Sequence, residues 1–249
     1  MPTITVQGKG EREVSAPLAS VLKEWDVRAR EYFGVSIPVG VVHYKNTPLK
    51  DGSPINTAAV TPSDGPWKLL VILATLDSIT DELIAHEILH KTLAVEGFRE
   101  CQLTDTPNSQ LQQVMNSMIA HVPLNTRMRR HGFDPWVLED PKANVAIDRI
   151  GRFSGYPEGE PSVCAACLFA DSILQASPAL SERVRDAKDK FPEIGRMTEA
   201  ILSTIGRFDM NSPEQYRAAC VQVCEALEIR RFSRFAEYDH MAYLKEQMG

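Results

Sequence analysis

Nowhere in this sequence do apolar residues run for the roughly eighteen positions that a membrane-spanning helix needs. The opening Met-Pro-Thr-Ile-Thr-Val-Gln-Gly-Lys also lacks a long apolar segment of the signal-peptide kind, so a cytoplasmic protein without a membrane partner is expected. Positive charge is in short supply as well: 27 Lys and Arg stand against 33 Asp and Glu, for a formal net charge of -6. A general nucleic-acid binder needs a basic face to neutralise phosphates, and this composition argues against one. Internal repeats and low-complexity tracts are missing. The five cysteines are an odd count in a chain large enough to fold without covalent staples, and reduced thiols in a reducing compartment are the simplest expectation.

What is present suits a globular protein: 249 residues, 43% hydrophobic and 24% charged. Thr3–Val6 alternates like a short strand, Ala16–Phe33 carries Leu18, Val21, Leu22, Trp25, Ala29 and Tyr32 at helical spacing, and Gly34 ends that helix. Strands are expected at Ile37–Tyr44, around Ala58–Val60 inside a long polar loop from Asn46 to Pro66, and at the apolar run Leu69–Ala74. A helix starting at Ser78 or Thr80 should run to about Glu96, where Gly97 stops it. After a polar loop over 100–108, Leu111, Val114, Met115, Met118, Ile119 and Val122 form one face of a helix that Pro123 should break, with a short helix to His131 beyond it. From Pro161 onward the pattern is helical, at 161–176, 179–190, 193–206 and 213–230. Residues 1–158 therefore read as a mixed domain and 159–249 as a helical C-terminal extension, joined through Gly-Tyr-Pro-Glu-Gly-Glu-Pro.

The chemistry lies in His86-Glu87-Ile88-Leu89-His90, an H-E-x-x-H sequence inside the helix already expected from its caps and apolar positions. Residues four apart share a helix face, so both imidazoles reach one metal ion, and Glu87 sits beside them within reach of a water on that metal. Zinc lowers the pKa of such a water toward 7, and a neighbouring carboxylate takes its proton and later returns it to the leaving amine. Two histidines on the surface of an ordinary helix, or a metal site without catalysis, are the competing explanations.

An apolar strand leading through a short turn into an H-E-x-x-H helix resembles the core of the zincin-type zinc metallopeptidases, over residues 67–97 and more weakly over 1–135. The resemblance implies an α+β fold, a zincin-like small mixed sheet packed on the H-E-x-x-H helix with a helical C-terminal region. It implies Zn2+ as cofactor, His86 and His90 as metal ligands, Glu87 as general base, and a peptide or protein substrate. The cytoplasmic character is similar in kind to the intracellular ImmA/IrrE-like peptidases. Those usually draw a glutamate ligand from a following helix, whereas this chain has no Glu between Glu100 and Glu139. Metzincins place Gly at the third position and a ligand at the sixth after the second histidine; here these are Leu93 and Glu96, and on a continuing helix Glu96 lies about 120° around the axis from His90.

Zincins commonly take the third ligand from the helix after the motif helix. In the helix expected after the 100–108 loop no carboxylate occurs, and His121 is the residue that commonly ligates zinc, with Glu96, Asp134, Glu139 and Asp148 as alternatives. Asn116 is placed to orient a ligand or the bound water. The activity implied is hydrolysis of a peptide or amide bond; the alternative from another class is a regulatory or adaptor protein that binds zinc without catalysis. Cys164-Ala-Ala-Cys167 and Cys220-Val-Gln-Val-Cys224 have the spacing of a thiolate site, but both lie in apolar helical segments where cysteine behaves as a small hydrophobe. Arg127, Arg129, Arg130 and His131 suit the last turn of a helix. His43 and His240 suggest no ligand role, and Phe232, Phe235, Tyr238 and Tyr243 suggest a helix face docked on the body.

Overall fold

The computed structural model describes residues 3–6, 10–43, 57–61, 69–74, 80–103, 110–151, 160–229 and 232–236. They fall into two compact units. The first holds the described residues up to Gly97 together with Arg127–Phe133, and the second holds Phe98–Thr126 with Asp134–Ala236, a division cut differently from 1–158 and 159–249.

In the first unit, β1 (Thr3–Val6), β2 (Gly10–Glu13), β3 (Val39–His43), β4 (Thr57–Thr61) and β5 (Leu69–Ala74) stand in the order β2-β1-β3-β5-β4. β1 and β3, and β3 and β5, pair parallel; β2 and β4 are antiparallel edges. Helix α1 (Ala16–Phe33) starts where the Ser15 hydroxyl accepts from the Leu18 N–H at 3.3 Å and stops at Gly34, whose φ of 78° suits a residue without a β-carbon. Its buried stripe is Leu18, Val21, Trp25, Ala29 and Phe33, and the Trp25 indole donates to the Ile37 carbonyl at 2.7 Å, fixing the return of the chain into β3. Burying a side chain of this kind contributes roughly 1.5–3 kcal/mol.

Helix α2 (Asp81–Val95) carries the motif. The Thr80 hydroxyl caps it by accepting from the Leu83 N–H at 3.2 Å, and Asp81 and Glu82 place negative charge at the positive end of its dipole. Asp81 also holds Arg12 of β2 and accepts from the Ser15 N–H at 3.0 Å, tying the helix start to β2 and to the cap of α1.

The second unit holds β6 (Glu100–Leu103), α3 (Gln110–Arg130) as far as Thr126, α4 (Trp136–Gly151), α5 (Glu160–Gln175), α6 (Pro178–Lys188), α7 (Pro192–Ile205), α8 (Pro213–Ala226) and β7 (Phe232–Ala236). Around α5 pack α4, α6 and α7, and α8 packs on α7.

The fold class expected from the sequence is corrected here. A small mixed sheet packed on the motif helix was expected to organise the chain; instead the described chain is predominantly helical, with eight helices against short strands. Within its unit, the motif helix has α1 as its main neighbour and touches β4 and β5 lightly. The physical reason is in α2 itself: Leu83 through Leu89 and Lys91 through Ala94 are all buried, so it is an interior helix and not one lying with a single face on a sheet.

Two prolines explain much of the excess helix. Pro123 lies inside α3 and Pro141 inside α4, each costing the helix one backbone hydrogen bond. In α3 the buried Met115, Met118, Ile119, Leu124 and Met128 lie on both sides of Pro123, and their packing outweighs a penalty of about 3 kcal/mol. The expected break at Pro123 is therefore absent, and α4 had no counterpart in the sequence reading.

The aromatic helix face is also corrected. Phe232 and Phe235 lie in β7, which pairs antiparallel with β6 inside the stretch expected to be loop. A register irregularity places Phe235 opposite Cys101 and Phe232 opposite Leu103, so two residues three apart meet two residues two apart. Tyr238, Tyr243 and His240 lie outside the described residues.

Candidate metal centre

α2 sets His86 and His90 one turn apart with their Nε2 atoms 3.2 Å from each other and their rings edge to face, centroids 4.7 Å apart. His86 is 5% exposed, Glu87 between them in sequence is 8% exposed, and His90 is half-buried. The separation bears on what the pair can hold. Two nitrogens each about 2.0–2.1 Å from a tetrahedral zinc lie roughly 3.3–3.4 Å apart, and the observed pair needs almost no adjustment to accept one ion. Glu87, one residue on from His86, is of the type that acts as a base toward a water held at such nitrogens.

Of the alternative ligands, Glu96 at the C-cap of α2 forms ion pairs with Arg28, at 2.7 Å, and with Arg127. Arg127 also meets Glu24 at 3.0 Å, and Glu24 meets His131 at 2.5 Å. The basic cluster at the end of α3 is thus split. Arg127 and His131 are drawn into a network with the acids of α1 and α2, and Arg129 and Arg130 are exposed. Gly132, with φ 86°, ends the helix as the sequence suggests.

His121 belongs to the second unit, where it is 4% exposed on α3. Its Nδ1 faces two carboxylates, Asp171 Oδ1 at 3.6 Å and Glu139 Oε2 at 3.9 Å, and its Nε2 lies 3.5 Å from Ser117 Oγ. His121, Glu139 and Asp171 form a group whose ligand-type atoms all lie within 4.8 Å of one another. Glu139 is 2% exposed and its Oε1 accepts from Lys142 Nζ at 3.1 Å. Asp134 is used as a cap, accepting from the Trp136 N–H at 3.0 Å, and Asp148 is exposed.

Asn116, expected to orient a ligand or the bound water, has a different task here. Its Oδ1 accepts from the Cys101 N–H and its Nδ2 donates to the Cys101 carbonyl, both at 3.0 Å, which pins β6 to α3. Asp171 escaped the sequence reading. The signal was there: a single carboxylate in Cys-Leu-Phe-Ala-Asp-Ser-Ile-Leu, an otherwise apolar helical run, has to find a partner when that helix is buried.

The cysteines all belong to the second unit, are free and are buried. Cys224 Sγ lies 3.9 Å from Cys101 Sγ and 3.6 Å from Met115 Sδ, so its thiol meets β6 and α3. Burial holds the Cys167 thiol well above its ordinary value and pushes that of Cys220 up to about 12. Compared with known proteins, the chain matches no family model, no curated protein and no solved structure. Among the described residues no helix is long and apolar enough to cross a membrane.

Proposed function

We propose that the chain is a zinc-dependent hydrolase, a metallopeptidase cleaving a peptide or amide bond. The observation that carries this reading is the pair of Nε2 atoms on α2, 3.2 Å apart, with the buried Glu87 next to His86 in sequence. His86 and His90 would hold zinc, and His121 is proposed as the third ligand on the sequence argument above. When bound, zinc supplies a polarised water as nucleophile and a Lewis acid for the substrate carbonyl. Glu87 takes a proton from the attacking water and passes it to the nitrogen of the leaving amine as the C–N bond breaks. The buried setting of α2 limits bulk water and strengthens each charge interaction there. Five buried free thiols fit a reducing compartment, and the cytoplasm is part of the proposal.

The test is metal analysis of untagged full-length protein followed by cleavage of unfolded casein or a peptide library. About one zinc per chain and cleavage that Glu87→Gln abolishes with zinc retained would support the proposal. A metal-free, folded wild type would overturn it, and zinc without any cleavage would assign the site to a binding protein instead.

A further inference from the structure

His121, Asp171 and Glu139 lie together inside the second unit, brought there by α3, α5 and α4. Neutral imidazole carries its proton on one of two nitrogens, and its surroundings decide which. Two carboxylate oxygens face Nδ1, at 3.6 and 3.9 Å, and a hydroxyl oxygen able to donate lies 3.5 Å from Nε2. Acceptors at Nδ1 and a possible donor at Nε2 favour the same tautomer.

We propose that Asp171 and Glu139 are positioning residues for His121, holding its ring with the proton on Nδ1 so that Nε2 keeps its lone pair for a metal. This rests on the reading of His121 as a zinc ligand given above. The distances exceed a hydrogen bond by a few tenths of an ångström, and contacts of this kind tighten when the site is filled. A carboxylate behind a ligating imidazole fixes the ring and makes it a stronger base. The competing use of the same three side chains is a separate cation site. Glu139 already holds the ammonium of Lys142, which supplies the positive charge that a second ion would bring, and leaves Asp171 to be met by the Nδ1–H.

Long-range proton–nitrogen correlation spectra of the metal-free full chain read the tautomer directly, with the His121 signals identified by their loss in His121→Asn. The expected wild-type state is protonated Nδ1 and bare Nε2, turning into a mixture in the Asp171→Asn, Glu139→Gln double variant. In competition with a chromophoric chelator, zinc should bind that variant about 10–100-fold more weakly than wild type. Each single variant, conservative in shape, should show part of both effects if the double one folds poorly. Protonated Nε2 in the wild type, or unchanged zinc affinity in the folded double variant, would overturn the proposal. So would a divalent ion that His86→Ala retains and Asp171→Asn loses. A wild type that binds no zinc would instead sink the hydrolase reading, and the tautomer of the metal-free protein would still decide the role of the two carboxylates.

Discussion

His131 and the pair His86 and His90 belong to the same compact unit, yet different chemistry meets their imidazoles. His131 has an acid on one side and an alcohol on the other, Glu24 Oε2 at 2.5 Å from Nε2 and Ser20 Oγ at 2.9 Å from Nδ1. His86 and His90 turn Nε2 toward Nε2. A base facing an acid is satisfied by one hydrogen bond between the two. A base facing a base is satisfied by something both can donate to, and two imidazoles at this spacing suit a metal ion. The position of a histidine in the chain says little about which case applies; the partner's chemistry decides it.

The largest expected effects separate the two cases. His86→Ala and His90→Ala should each cost orders of magnitude in zinc affinity and abolish hydrolysis, because zinc does not stay tight on two protein ligands. His131→Ala should leave zinc content at about one per chain and instead lower the unfolding midpoint in urea. Glu87→Gln should keep the metal and abolish measurable cleavage, since losing a general base costs about 10²–10⁴-fold in rate. Zinc loss in His131→Ala with retention in His86→Ala would reverse the comparison.

Arg127 tests the acid-and-base side of the molecule. It is 12% exposed and bridges Glu24 and Glu96, which are 26% and 15% exposed. Arg127→Ala leaves two partly buried carboxylates without that cation, and a loss of about 2–3 kcal/mol is expected, below the 3–5 kcal/mol of a fully buried pair. Zinc stoichiometry should not move. Urea titrations of wild type and variant measure the first, and metal analysis the second.

What the sequence made legible follows from the range over which each signal acts. The Thr80-Asp-Glu start of α2, the Leu69–Ala74 strand and the i,i+4 histidines are local, and the structure has all three where local rules put them. Pro123 and Pro141 are local signals for a break, and packing distant in sequence overrides them. Strand β7 was hidden because the irregularity at Leu103 and Phe232 replaces period-two alternation with a spacing of three, which looks helical, whereas β6 keeps alternating burial but is only four residues long. In α1 the stripe was read through Tyr32, and the buried aromatic is Phe33, one position on. Asn116 was read as a residue near a ligand, and its amide instead closes on a backbone strand that had not been foreseen. Asp171 and Glu139 meet His121 only through the packing of three helices, which no spacing along the chain encodes.

The cysteines sharpen the comparison from a third direction, since thiols are metal donors and burial raises those of Cys167 and Cys220 toward the protonated form. Replacing Cys164, Cys167, Cys220 and Cys224 by Ala or Ser should leave zinc content unchanged; loss of a second tightly held zinc would show a thiolate site. The alkaline limb of stability carries a further signature. A thiol whose pKa is higher folded than unfolded contributes stability that is present below the ordinary value of 9.0 and is lost as pH rises above it. Wild type should therefore weaken above pH 9, and Cys167→Ala should flatten that decline in urea titrations taken from pH 8 to 10.

The smallest expected effect comes from Asp26, an acid met by partners at the surface and thus the weak limit of the arrangement around His131. Its carboxylate accepts from the Ser36 hydroxyl and from Arg30 Nε, the latter at 2.9 Å, and these contacts, Ser36 first, hold its pKa below the ordinary 3.8. A carboxylate depressed in the folded state contributes stability that is present above its unfolded pKa and is lost as pH falls through the folded one. The window is therefore below about pH 4, and at neutral pH the contribution is complete. Asp26 is 40% exposed and solvent screens it, so Ser36→Ala should change neutral stability by less than about 1 kcal/mol. Below pH 4 the difference between Ser36→Ala and wild type should shrink as the carboxylate protonates in both. A difference that stays constant from pH 7 to pH 2 would mean that Ser36 acts through packing alone, and that an exposed acid gains nothing from its partners here.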